Sequence, residues 1–178
     1  MINFENSFHK LNADFYENIH PSKPPKPELI SFNKSLSKIL GIKTSWIDSI
    51  EGLECFTGQN VLKSSNPLAM VYAGHQFGNW VPRLGDGRAI LLGEILDHNN
   101  ERWDIQLKGS GLTPFSRNGD GKAALGPVLR EYLMSEAMHK LGIPTTHALF
   151  IAKTGEKIYR EKVFPGAIIT RVAKRHIR

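Results

Sequence analysis

Apolar positions change their spacing along the chain. In the first 66 residues they are scattered, apart from a short helical stripe at Leu36, Ile39 and Leu40 that Gly41 could cap. Before it, Pro21, Pro24, Pro25 and Pro27 keep their segment extended and out of any helix interior. From Ala89 the pattern sharpens. Ala89 to Leu96 is an apolar, strand-like run, Asp97-His98-Asn99-Asn100 is a turn, and Arg102 to Lys108 alternates with Trp103, Ile105 and Leu107 on one face. Together they predict a β-hairpin. A polar, Gly-rich loop follows, from Gly109 to Lys122.

A helix is predicted over Val128 to Leu141, with Leu129, Leu133, Ala137 and Leu141 as a buried row and Gly142 as the stop. Met134 and Met138 widen that stripe, and Glu136 with Lys140 reads as an exposed i, i+4 pair. After Pro144 come three strand-like runs, His147 to Lys153, Lys157 to Val163 and Ala167 to Ala173, with turns at Thr154-Gly155-Glu156 and Pro165-Gly166. The order is an α+β arrangement of antiparallel strands with one helix on a face, and not a βαβ series. No internal repeat or low-complexity tract interrupts it. The chain divides into a lead-in, residues 1–66, and a strand-rich part, residues 67–178.

The chain has 178 residues, which suits one domain or a piece of a larger one. Apolar residues make up 40% and charged residues 22%, which excludes a disordered chain. A single cysteine, Cys55, excludes a disulfide framework and points to a reducing compartment. No apolar run approaches the roughly 20 residues of a membrane span, and the N-terminus does not resemble a secretory or mitochondrial targeting segment. Twenty-three Lys and Arg against 17 Asp and Glu give a net charge of +6. Four of those cations, Arg171, Lys174, Arg175 and Arg178, lie in the last eight residues with no acid among them, which leaves +2 for the first 170. A basic end of this kind suits a polyanion: nucleotide phosphates, nucleic acid or an anionic membrane surface.

Familiar short motifs fail. Gly121-Lys122 lacks the Walker A context, Gly85-Asp86-Gly87 and Gly109-Ser110-Gly111 each lack a third glycine of GxGxxG, and neither GxSxG nor HExxH occurs. What remains is a clustering of glycines between Gly74 and Gly126 and one spacing. Lys108 ends a predicted strand, and Glu131 lies 23 residues later on the predicted helix. Protein kinases hold nucleotide phosphates with a strand Lys fixed by a helix Glu. Residue types alone leave a second reading open, in which Lys108 and Glu131 are solvated surface charges. The same holds for Arg88, for the Asp-Gly pairs as plain turns, and for Arg171, Arg175 and Arg178 as a charged strand edge.

Long stretches of this sequence resemble one family. They are LAMVYAGHQFGNWVPRLGDGRAILLGEI, RWDIQLKGSGLTPFSRNGDGKAALGPVLREYLMSEAMHKLGIPTT and PGAIITRVAKRHIR, with FYENIHPSKPPKPELISFN near the start. The family is SelO (selenoprotein O, also called YdiU), and the resemblance covers nearly the whole chain. It implies a protein-kinase-like N-lobe, an antiparallel sheet with one αC-like helix at 67–178, preceded by an N-terminal extension at 1–66. It implies a protein adenylyltransferase that moves AMP from ATP to Ser, Thr or Tyr hydroxyls of proteins, with Mg2+ required. Carried over by motif, the nucleotide contacts are Gly85, Gly87, Arg88, Lys108, Asp120, Gly121, Arg171 and Arg178, with Glu131 positioning Lys108.

Three positions depart from the family pattern. His147 follows Pro-Thr-Thr where Arg is usual, Leu112 stands at a place often basic, and Lys174 occupies a place usually small. Family members run to several hundred residues, and their catalytic Asp, Asn and metal-binding Asp follow the HIR segment. The expectation is therefore a truncated chain without its C-lobe, with no catalytic residue or metal ligand of its own, inactive alone, and cytoplasmic in a bacterium. Expected partners are ATP, protein acceptors and a separate C-lobe chain, with no nucleic acid and no membrane. The alternative is a non-catalytic nucleotide-binding remnant or one half of a split enzyme.

Overall fold

The computed structural model describes residues 2–176. Arg178, one of the expected nucleotide contacts, lies outside the described residues. Two short 3-10 turns open the chain, followed by β1 (Tyr16–Asn18), β2 (Glu28–Phe32) and the helices α1 (Lys34–Ile39), α2 (Thr44–Ile47) and α3 (Ile50–Thr57). Then come β3 (Leu68–Met70), β4 (Gly74–Gln76), β5 (Asn79–Val81), β6 (Ala89–Leu96), β7 (Arg102–Lys108) and β8 (Ala123–Ala124). The helix α4 (Leu125–Lys140) leads to two long strands, β9 (His147–Tyr159) and β10 (Val163–Ala173). The architecture is α+β with an antiparallel sheet in the order β1-β3-β6-β7-β10-β9-β2, while β8 pairs with β10 and β4 with β5 forms a separate two-stranded ribbon.

The β6–β7 hairpin forms where the alternation predicts it. Asp97 closes its turn, accepting from the backbone N–H of Asn99 at 2.8 Å and Glu101 at 2.9 Å and from the Trp103 indole at 2.9 Å. Those bonds, led by the one from Trp103, hold its carboxyl below the usual range. Residues 1–66 are woven into the same sheet. They supply both of its outer strands, β1 and β2, and bury Ile2 and Phe4 in the main core.

Three expectations are corrected. After α4 there are two strands, not three. Thr154-Gly155-Glu156 is not a turn, because β9 pairs with β10 on both sides of it, Lys153 opposite Ala167 and Lys157 opposite Pro165. Gly155 takes φ +79° where Lys26 crosses, and the Lys26 N–H donates to the Thr154 carbonyl at 3.0 Å. Pro165-Gly166 is absorbed as a register shift within β10. The reversal falls instead at residues 160–162, which carry no Gly or Pro to signal it.

Helices also cover both faces of the sheet, where one helix on one face was expected. On one face α1, α2 and α3 pack Leu36, Ile47 and Phe56 against Ile105, Leu107 and Leu149. On the other, α4 packs Leu125, Val128, Leu129 and Tyr132 against Ala148, Ile151, Ala167 and Ile169. The expected buried row on α4 is therefore only half right, since Leu133 is 66% exposed and Leu141 74% exposed. The helix turns its Val128–Tyr132–Ser135 side inward, and its second half meets the start of β9 through polar and ring contacts, Glu136 with Ala148 and His139 with His147.

Glu136, finally, does not serve Lys140. It accepts from the Asn33 amide at 2.7 Å and the Ala148 N–H at 3.1 Å, tying α4 to the starts of α1 and β9.

Candidate nucleotide site

The polar side of β7 makes the floor of the site. Ile105 and Leu107 point into the main core, so Asp104, Gln106 and Lys108 point to the face that carries α4. There a cleft of about 420 Å³ opens between the 84–88 loop, the 115–122 loop and the β9–β10 turn. Seven of the eight expected nucleotide residues line it: Gly85, Gly87, Arg88, Lys108, Asp120, Gly121 and Arg171.

Two of those glycines are required by the chain's own packing. Gly85 takes φ +62°, and a Cβ there would sit 2.2 Å from the Phe115 ring. Gly121 takes φ +69°, and its Cβ would meet the Gly111 carbonyl oxygen at 1.9 Å. No side chain larger than hydrogen fits either position: Gly85 lets the 84–88 loop seat on Phe115, and Gly121 lets the loop from Gly109 to Lys122 close on itself at Gly111.

Lys108 and Glu131 meet, Nζ to Oε2 at 2.5 Å. The other Glu131 oxygen faces Arg171 Nη1 at 3.6 Å. Burial pushes the Lys108 ammonium below its ordinary pKa, and the nearby Arg171 and Arg88 add to that; the Glu131 bond opposes it. Arg171 also donates to the Gln106 side-chain oxygen. Gln106 donates to Asp86 Oδ2 at 2.8 Å, and the Tyr72 hydroxyl donates to Asp86 Oδ1 at 2.9 Å.

The cleft's rim holds further ion pairs. Arg160 donates both arms of its guanidinium to Asp120, at 2.9 and 2.8 Å, and this holds the Asp120 carboxyl down at about 2. Lys122 pairs with Glu156, and its backbone N–H donates to Asp120 at 2.9 Å. Among the described residues six cations line the cleft: Arg88, Lys108, Arg117, Lys122, Arg160 and Arg171.

The basic end of the chain divides. Arg171 belongs to the cleft. Lys174 lies over the Trp103 ring, 3.8 Å from its centroid, and pairs with Glu101. Arg175 lines a second cleft with Phe8, Glu94 and Arg102.

Tyr72, Asp86, Gln106, Lys122 and Arg160 are cleft residues, or direct partners of them, that sequence reasoning missed. Gln106 left a faint trace as a polar residue in a strand with apolar neighbours on both sides. Arg160 left none, because only the long β9–β10 hairpin brings it over Asp120.

Cys55 is packed in the main core, where burial pushes its thiol up to about 12, so it is no nucleophile. Among the described residues no group of three or more His, Cys, Asp or Glu is arranged to hold a metal ion. Among them, too, no helix is long and apolar enough to cross a membrane.

The chain is 57% identical over 175 residues to a protein nucleotidyltransferase YdiU of Methylorubrum populi, covering 98% of this chain and 35% of that protein. It is 55% identical to the protein of the same name from Rhizobium meliloti, covering 98% and 36%, and 52% identical to that of Alkalilimnicola ehrlichii, covering 98% and 35%. The chain thus spans about a third of the length of these curated relatives. Over residues 1–178 it matches the family model described as Protein adenylyltransferase SelO, and it belongs to that family.

Proposed function

We propose that the cleft binds the triphosphate of ATP and that this chain is the nucleotide-holding part of a protein adenylyltransferase. One observation carries the reading: a single carboxylate, Glu131, faces both Lys108 and Arg171 in a cleft that also collects Arg88. A strand Lys fixed by a helix Glu is how protein kinases hold nucleotide phosphates. On that ground residues 67–178 are assigned as a kinase-like N-lobe and residues 1–66 as its extension. Gly85, Gly87, Asp120 and Gly121 are assigned to the nucleotide, and Arg88, Lys108, Arg171 and Arg178 to its phosphates.

In the proposed reaction a Ser, Thr or Tyr hydroxyl oxygen bonds to the α-phosphorus, the bond between the α- and β-phosphates breaks, and pyrophosphate leaves. Negative charge grows on the departing phosphates. Lys and Arg side chains already in place stabilise it, Arg by two parallel hydrogen bonds. No residue of this chain is assigned as the base that takes the hydroxyl proton. The described residues do not fit a metal ion, so Mg2+ is assigned to donors in the part of the family's length that this chain does not span. A cytoplasmic location, where ATP is abundant, goes with this reading.

The test is an ATP titration of the 178-residue chain. Lys108→Ala and Arg171→Ala should each weaken binding about tenfold or more, the loss of one charge-assisted bond. Affinity indifferent to both substitutions would overturn the assignment. Incubated with labelled ATP, Mg2+ and a generic protein acceptor, the chain alone should transfer no label; transfer would show that it carries its own base.

A further inference from the structure

Arg171 and Gln106 stand directly opposite each other across the β10–β7 ladder. Both are buried, Gln106 completely, and so is Asp86 in the 84–88 loop. Asp86 is pinned from several sides. Its main-chain carbonyl accepts from the Thr113 hydroxyl at 2.6 Å, and its carboxylate oxygens take the Tyr72 hydroxyl and the Gln106 amide.

The chemistry of this row has only one solution. A carboxylate only accepts, a guanidinium only donates, and a glutamine amide does one on each side. With Asp86 on one side, the Gln106 NH2 must turn toward it, and the Gln106 carbonyl must then face Arg171. Asp86 thereby decides which way Gln106 faces, and Gln106 decides how the Arg171 guanidinium is rotated. A glutamate in place of Gln106 would engage the guanidinium ionically and offset its charge. The neutral amide orients Arg171 without adding a further negative charge beside it.

We infer that Asp86 and Gln106 are positioning residues, a buried polarity relay that aims Arg171 at a phosphate oxygen of the bound nucleotide. The inference rests on the nucleotide reading of the cleft. Neither residue is expected to touch the nucleotide's reacting atoms; both act through Arg171.

Complementary substitutions test it. Asp86→Asn sets an amide NH2 against that of Gln106, and Gln106→Glu sets a carboxylate against that of Asp86. The double variant Asp86→Asn/Gln106→Glu pairs every group again. Its amide at position 86 would donate to its carboxylate at position 106, which would also accept from Arg171. Two readouts are taken on the 178-residue chain: the side-chain 15N resonance of the Arg171 guanidinium without ligand, and ATP affinity by titration.

Each single variant should shift or broaden the Arg171 resonance and weaken ATP about tenfold, while the double variant restores a single sharp Arg171 resonance and regains ATP affinity only in part, because its carboxylate now stands against the guanidinium. Tyr72→Phe, which removes one donor to Asp86 and keeps the ring, should give a smaller effect in the same direction if a single variant does not fold. Single variants that lower the unfolding midpoint but leave the Arg171 resonance and the ATP affinity unchanged would overturn the relay, as would a double variant no better than either single. If the parent chain does not bind ATP, the nucleotide reading fails, and the Arg171 resonance still decides whether the relay exists.

Discussion

Glu131 uses its two oxygens on two different cations, Oε2 on Lys108 at 2.5 Å and Oε1 on Arg171 at 3.6 Å. Lys108 comes from β7, Arg171 from β10 and Glu131 from α4, so one carboxylate joins two neighbouring strands to the helix above them. Glu131→Gln keeps the shape and removes the charge. With the pair mostly shielded from water, the variant should lose about 1–2 kcal/mol of stability. It should also bind ATP more weakly, since Lys108 would lose the partner that fixes its position. Denaturant midpoints and ATP titration measure the two effects separately.

The lowered pKa of Lys108 sets a pH limit on binding. A lysine whose folded-state pKa lies below the ordinary 10.5 loses its proton earlier as pH rises. The cation for phosphate is then lost at a pH where an exposed lysine would still be charged. ATP affinity should fall on the alkaline side with a midpoint below 10.5, and Lys108→Arg should move that fall upward. Affinity measured from neutral to alkaline pH at constant ionic strength checks both.

Gly121 and Gly78 separate packing from backbone freedom. Both have positive φ, +69° and +79°, but a Cβ at Gly121 meets the Gly111 carbonyl at 1.9 Å and one at Gly78 meets nothing within 4 Å. Gly78→Ala should cost about 1 kcal/mol, the conformational penalty alone. Gly121→Ala adds a backbone clash and should cost about 2 kcal/mol or more. Chemical denaturation of the two variants against the parent gives the difference.

The helix α4 should tolerate changes on its outer face. Leu133→Ala and Leu141→Ala remove exposed side chains and should stay within about 0.5 kcal/mol of the parent. Val128→Ala removes a buried one and should cost about 1–2 kcal/mol. A large loss at Leu133 or Leu141 would mean that the helix buries the face expected from its leucine spacing.

An apolar run, a period-two alternation and the turn residues between them were enough to place β6, β7 and their turn, because a hairpin is made from contacts close in sequence. The strand Lys and the helix Glu were legible in the same way, by position within their elements. Which polar residues are buried was not. Asp104 and Gln106 read as the outer side of an alternating strand, and they are buried because Asp86 of the 84–88 loop and Arg171 of β10 close over Gln106, and His176, just past β10, closes over Asp104. Nor could the chain foresee that residues 1–66 supply both outer strands of the sheet, since β1 and β2 are short and find their partners far along the sequence.

Local turn signals also lost to long-range pairing. Thr154-Gly155 and Pro165-Gly166 were overruled by the ladder between β9 and β10, and the reversal moved to residues 160–162. That shift is what carries Arg160 to Asp120. The sequence by itself determined the chemical groups and the elements that bear them, because periodicity and turn chemistry act over a few residues. The tertiary structure alone decided how those groups are paired, because a carboxylate such as Glu131 or Asp86 acquires its partners only when strands and loops far apart in the chain are packed together.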